Sequence, residues 1–148
     1  MEIPTGLGEL EEWQAIRRIQ GREVKPVLVD WLLSLATWET RADLTFESLA
    51  GPDRAQRAVH AWLRKVAPDH LAVVGYERQE RGAVHCHVVI ARRLCLGPAI
   101  ALWNQRCGFC RIEFVESQAG AVDYAVKHAA KALDIEIIDY PSAQPRLC

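Results

Sequence analysis

Glu77, His85 and His87 are the residues whose types and spacing first suggest chemistry. Imidazole nitrogens suit divalent transition metals, and two of them with one carboxylate leave coordination positions open for a substrate. The three can act together only if a hairpin carries Glu77 opposite His85. Residues 71–90 have that form: two runs rich in Val and Ile flank Arg81-Gly82, with Gly82 supplying the turn. A turn centred at Arg81 pairs Tyr76 with Cys86, Val74 with Val88 and Ala72 with Ile90. Strand side chains alternate with period two. Ala72, Val74, Tyr76, Val84, Cys86, Val88 and Ile90 then make one apolar face suited to packing under helices. The other face sets Glu77 against His85, with His87 one pleat away beside Gly75. Glu80 is a further carboxylate, but its parity puts it on the other side of the turn.

The wider segment, Glu77-Arg-Gln-Glu-Arg81-Gly82-Ala-Val-His85-Cys86-His87, closely resembles the Glu…Arg-Gly-x-x-His-hydrophobic-His motif of HUH endonucleases, the rolling-circle replication initiators of small plasmids, phages and single-stranded DNA viruses. Cys86 fills the hydrophobic middle position. The resemblance requires a downstream helix with a nucleophilic Tyr, often followed by Lys three residues on. Val122-Asp-Tyr124-Ala-Val-Lys127-His128-Ala-Ala-Lys131 supplies it. His128 stands where a second Tyr is common, so this segment offers one nucleophile. On a helix, Val122, Val126, Ala129 and Leu133 share an apolar stripe, and Tyr124, Lys127, His128 and Lys131 lie opposite.

What the resemblance implies is transesterification at a DNA phosphodiester. His85, His87 and Glu77 would hold one Mn²⁺ or Mg²⁺ that polarises a phosphate oxygen. Tyr124 would attack phosphorus, and Lys127 on the next turn would stabilise the phenolate or the developing negative charge. The implied product is a 5′-phosphotyrosyl link and a free 3′-OH. The implied substrate is single-stranded or hairpin-extruded DNA. Arg78, Arg81, His128 and Lys131 are weaker candidates for contacting it, as are Thr37 and Trp38, for each of which core packing is the better reading.

Composition sets limits on this reading. The chain has 148 residues, half of them hydrophobic and a quarter charged, as expected of one globular domain. Its net charge of −1 argues against a general, high-affinity duplex-DNA binder but not against a local grip on a short single strand. No apolar run reaches the roughly 18–20 residues of a membrane span. The N-terminus is neither basic nor apolar, so a cytoplasmic protein without a signal peptide is expected. Five Cys, an odd count, argue against a disulfide framework. Cys107-Gly-Phe-Cys110 has the spacing of half a zinc site, but incidental thiols are the better reading. No Gly-x-x-x-x-Gly-Lys-Ser/Thr occurs, so a replicative role would need a separate helicase.

The positioning elements follow from periodicity. Residues 8–20 have helical spacing and end at Gly21. Lys25-Pro26 reads as a break. Val27 to Glu39 is expected to be a strand, and Ser34 to Glu39 falls where the resembled family has a threonine-rich first strand motif. Asp43-Leu-Thr-Phe46 extends it as strand or loop. Pro52 to about Val66 reads as a helix with Ala55, Ala58, Val59, Trp62, Leu63 and Val66 inward; Gly97-Pro98 opens another, to about Arg106, with Ile100 and Trp103 inward. Phe109 to Val115 alternates as a strand, and Ser117 is a candidate N-cap for the Tyr124 helix. Residues 134–140 suit an edge strand or a tail. The organisation expected is an N-terminal helical extension (1–26), a catalytic core (27–133) and a C-terminal strand or tail (134–148).

The order strand, helix, strand, strand, helix, strand, helix points to an α+β fold: an antiparallel sheet with helices mainly on one face. The resemblance implies the same ferredoxin-like architecture. Within the nicking class, a single-tyrosine transposase is the alternative to a replication initiator. Outside it stand a non-catalytic DNA-binding module and a metal-dependent hydrolase using water in place of Tyr124.

Overall fold

Side-chain alternation decides most of this structure. The computed structural model describes residues 24–78, 84–127 and 135–139. In chain order the elements are α1 (Val24–Leu35), β1 (Thr40–Phe46), α2 (Pro52–Val66), β2 (Leu71–Arg78), β3 (Val84–Ile90), α3 (Leu96–Arg106), β4 (Gly108–Phe114), α4 (Gln118–Lys127) and β5 (Ile135–Asp139). The strands form one sheet in the order β4-β1-β3-β2-β5, and every neighbouring pair is antiparallel. This is the expected α+β, ferredoxin-like arrangement. The central hairpin has the expected register: Ala72 faces Ile90, Val74 faces Val88, Tyr76 faces Cys86 and Glu77 faces His85. Residues 134–140 do contribute an edge strand, which pairs with β2. The helix expected at residues 8–20 lies outside the described residues.

The first element is corrected. Val27 to Glu39 is not a strand: residues 24–35 form α1, and the first strand starts at Thr40. A mostly apolar run without period-two alternation does not by itself separate a buried strand from a buried helix. Leu28 and Leu32, four residues apart, are the positions α1 buries. Pro26 does not break the helix because it falls in the first turn, where a backbone N–H has no intrahelical partner to lose. Asp43 and its neighbours therefore belong to the first strand itself, not to an extension of it.

The sheet is covered on both faces, by two helices on each, and not mainly on one as expected, because the helix at residues 24–35 joins the Tyr124 helix on the second face. The even-numbered residues of the hairpin and Ala42, Leu44 and Phe46 of β1 pack under α2 and α3. Trp103 is fully buried there, edge-on to Phe46 at 5.3 Å and to Trp62 at 6.0 Å between ring centroids. Its indole N–H donates to the Thr45 carbonyl at 3.2 Å, tying the far end of β1 to α3. Thr40 ties the near end: its buried hydroxyl donates to the Arg92 carbonyl at 2.6 Å and accepts from the Leu94 N–H at 3.1 Å. On the opposite face, α1 and α4 enclose Trp38, Val73, Val89, Ile135 and Ile137. Beyond that cover, Asp43, Thr45, Glu77 and His85 remain partly exposed. β1 is thus anchored at both ends, and its odd-numbered side chains rise beside β3. Among the described residues no helix is long and apolar enough to cross a membrane.

Candidate metal and nucleophile site

Three strands and one helix place the site. β1 is hydrogen-bonded to β3 with Asp43 opposite His87 and Thr45 opposite His85, and β2 sets Glu77 opposite His85 on the other flank. β1 reads Arg41-Ala-Asp43-Leu-Thr45-Phe46, so the period-two rule lifts Arg41, Asp43 and Thr45 onto the face that carries the histidines.

His87 is the centre of this face. It is 3% exposed and has a carboxylate at each ring nitrogen: Nδ1 meets Asp43 Oδ1 at 2.9 Å and Nε2 meets Glu77 Oε2 at 2.9 Å. Burial alone would lower the His87 pKa, but the hydrogen bonds and charges of Asp43 and Glu77 outweigh it and hold the ring above its ordinary value. Burial likewise works to raise the Asp43 pKa. The His87 hydrogen bond, with the charges of His87, His85 and Arg41, overcomes it and holds the carboxyl below the usual range. His85 lies beside His87 with ring centroids 4.7 Å apart, and its Nδ1 is 3.0 Å from Thr45 Oγ1.

Tyr124 reaches the same point from α4. Its ring stands edge-on to His87, with centroids 4.8 Å apart at 82°. The Asp43 carboxylate acts on its phenol. Burial first, then the Asp43 charge, pushes the phenol above its ordinary pKa, and the Arg41 charge opposes them. The Arg41 guanidinium carbon lies 5.1 Å from the centre of the Tyr124 ring, and Arg41 pairs with Glu113 at 3.1 Å. Past Tyr124 a cleft of about 700 Å³ opens between the end of β4 and the start of α4, lined by Arg41, Glu113, Ser117, Asp123 and Tyr124 among others. Ser117 caps α4 as expected, its hydroxyl accepting the Gly120 N–H at 3.1 Å.

Of the residues expected from sequence, His85, His87, Glu77 and Tyr124 come together here. Asp43 and Arg41 were not expected. Asp43, His85 and His87 form a compact group, each offering a donor atom within 4.8 Å of the others; Glu77 stands at the far ring nitrogen of His87. Two imidazoles and a carboxylate gathered this closely are donors of the right type and proximity for a divalent cation. The missed signal was the alternation of polar and apolar residues from Thr40 to Phe46, hidden once the strand was placed upstream.

The weaker candidates divide. Thr37 is exposed, not packed in the core, and precedes β1, at the end of the strand away from Thr45 and His85. Trp38 is core: it is fully buried and its indole donates to the Leu32 carbonyl at 3.1 Å. Lys127 ends α4 and Arg78 ends β2, but their side chains lie outside the described residues, as do Glu80, Arg81, His128 and Lys131 altogether. Cys107 and Cys110 are free thiols, and among the described residues no cysteine belongs to a metal-binding group. Comparison with protein-family models, with curated proteins and with solved structures finds no match, so the functional reading rests on the chain's own residues and their geometry.

Proposed function

We propose that this protein is a metal-dependent endonuclease of the HUH type. It nicks and rejoins single-stranded or hairpin DNA through a covalent 5′-phosphotyrosine and acts as an initiator of rolling-circle replication. The observation that carries the reading is the 4.8 Å approach of the Tyr124 ring to His87. A phenol from a helix and an imidazole from a hairpin, 37 residues earlier in the chain, converge on one open face with two carboxylates. A structural role for Tyr124 alone would require neither the second His nor the carboxylates.

In this reading His85 and His87, with carboxylate help from Glu77, hold Mn²⁺ or Mg²⁺, which when bound supplies Lewis-acid polarisation of a non-bridging phosphate oxygen. Tyr124 Oη forms a bond to phosphorus, the bond from phosphorus to the 3′ oxygen breaks, and that oxygen leaves as a 3′-hydroxyl after gaining a proton. The phenol proton is lost as Tyr124 attacks. Arg41, against the Tyr124 ring, favours the phenolate electrostatically, and Lys127 is assigned the same task from the sequence. The phosphodiester energy is kept in the tyrosyl link, so reversal rejoins the strand without ATP. A separate helicase would serve any replicative cycle.

The test is to incubate the protein with Mn²⁺ and a pool of single-stranded oligonucleotides and to resolve the products on a denaturing gel. A protein–DNA adduct formed by the wild type, lost with EDTA and lost in Tyr124→Phe, is the expected result. Metal-dependent cleavage without an adduct, unchanged in Tyr124→Phe, would overturn the tyrosine mechanism and leave a hydrolase.

A further inference from the structure

One ion can use only one nitrogen of each imidazole, because the two ring lone pairs diverge. His87 has a carboxylate at both, so the structure must assign the carboxylates different tasks. β1 supplies the asymmetry. Asp43 meets His87 at Nδ1 and Thr45 meets His85 at Nδ1, at 2.9 and 3.0 Å. The two partners are two residues apart on one strand, and the two rings are two residues apart on its neighbour, directly opposite. Both rings are therefore held at the same nitrogen from the same side. Their Nε2 atoms lie at the other end, away from β1. Glu77 approaches there from β2, with Oε2 2.9 Å from His87 Nε2 and its Cα opposite that of His85.

We propose that Asp43 and Thr45 are positioning residues that hold His87 and His85 by Nδ1–H, so that both rings present Nε2 to the cation and Glu77, not Asp43, completes the ligand set. This rests on the metal reading above and adds to it a division of labour between the two carboxylates. A carboxylate that accepts the outer N–H of a ligating imidazole orients the ring and raises its basicity. Asp43 is suited to that task because it stands on β1 directly opposite His87, where strand pairing fixes its carboxylate against Nδ1. Thr45 is itself pinned, its carbonyl taking the Trp103 indole N–H. Asp43, rather than Glu77, has a donor atom within 4.8 Å of one on each ring, and the variants below separate the two roles.

The experiment measures Mn²⁺ affinity by titration calorimetry and, in metal-free protein, the imidazole tautomers by long-range ¹⁵N–¹H NMR at a pH where the rings are neutral. Asn retains the acceptor at Nδ1 but is a poor ligand. The expected results are that Asp43→Asn and Thr45→Val each weaken Mn²⁺ binding by about ten-fold, that Glu77→Gln weakens it by more than either, and that both rings carry their proton on Nδ1. Near-total loss of Mn²⁺ binding in Asp43→Asn, with Glu77→Gln close to wild type, would overturn the assignment and make Asp43 the ligand. Wild-type affinity in both β1 variants, or an Nε2–H tautomer at either ring, would also overturn it. If the wild type binds no Mn²⁺ but shows both Nδ1–H tautomers, the metal-dependent function fails while the positioning by β1 stands.

Discussion

Gln118 grips the backbone of Trp38 from both sides. The Trp38 N–H donates to its Oε1 at 2.7 Å, and its Nε2 donates to the Trp38 carbonyl at 2.6 Å. These residues are 80 positions apart in the chain. Gln118 is the first residue of α4, so this clasp fixes where the helix starts against the sheet and thereby where Tyr124 arrives. Gln118→Ala leaves two backbone groups of a buried residue without partners, at a cost of roughly 1–3 kcal/mol for each group that water does not reach. A drop in Tm is expected, with loss of Tyr124 adduct formation larger than the stability change alone would give. The comparison is made well below the new Tm, where both proteins are folded.

Arg41 faces Tyr124 on one side and Glu113 on the other. Arg41→Leu keeps bulk over the ring but removes the charge that favours the phenolate. Adduct formation is expected to slow by about ten-fold, equivalent to about 1.4 kcal/mol of barrier, while Mn²⁺ affinity stays within about two-fold of wild type. A parallel loss of Mn²⁺ affinity would instead place Arg41 in the metal site.

The metal-free protein should respond to pH through His87. Its folded-state pKa is raised, so protonation stabilises the fold fully below the unfolded value of about 6.5 and that contribution disappears as pH rises through the folded value. Asp43 behaves oppositely: its pKa is lowered, so its contribution is present above about 3.9 and is lost as pH falls through the folded value. In EDTA, Tm should therefore fall as pH rises above about 6.5, and this decline should be smaller in His87→Gln. Mn²⁺ affinity should rise over the same range, since the ion displaces a proton from His87.

Gly108 starts β4 where the chain passes closest to β1. A Cβ there would collide with the Thr45 carbonyl oxygen and the Glu47 nitrogen, both backbone atoms that cannot swing aside. Gly108→Ala is expected to cost about 1–3 kcal/mol, the usual range for an overpacked site. Because Thr45 is the strand residue being pushed, the His85 ring resonances should shift as well. Denaturant unfolding and an NMR spectrum of the variant check both.

Cys86 lies between the two histidines in sequence but points to the opposite face. It is fully buried, and burial, helped by the Glu136 charge, pushes its thiol pKa up to about 12. In native protein at pH 8, iodoacetamide should leave Cys86 untouched and label the exposed Cys95. Peptide mapping by mass spectrometry reads the difference, and Cys86 should react once the protein is unfolded.

The hairpin was legible in the sequence because period-two alternation and a Gly turn specify both register and face. From them alone Glu77 falls opposite His85 and Cys86 turns into the core, as the structure has it. The helix from Pro52 to Val66 and the capped start of the Tyr124 helix were equally local readings. α1 was not legible, because a short apolar run suits a buried strand and a buried helix equally well. That misplacement hid β1, and with it Arg41, Asp43 and Thr45. What the sequence determined by itself was the pair of histidines, Glu77 and the candidate nucleophile, since each rests on a pattern a few residues long. Only the tertiary structure decided that Tyr124 meets His87 and that β1 stands beside both rings. Those contacts join segments some 40 residues apart, and they exist only once the sheet has paired β1 with β3 and the apolar face of α4 has been buried against it.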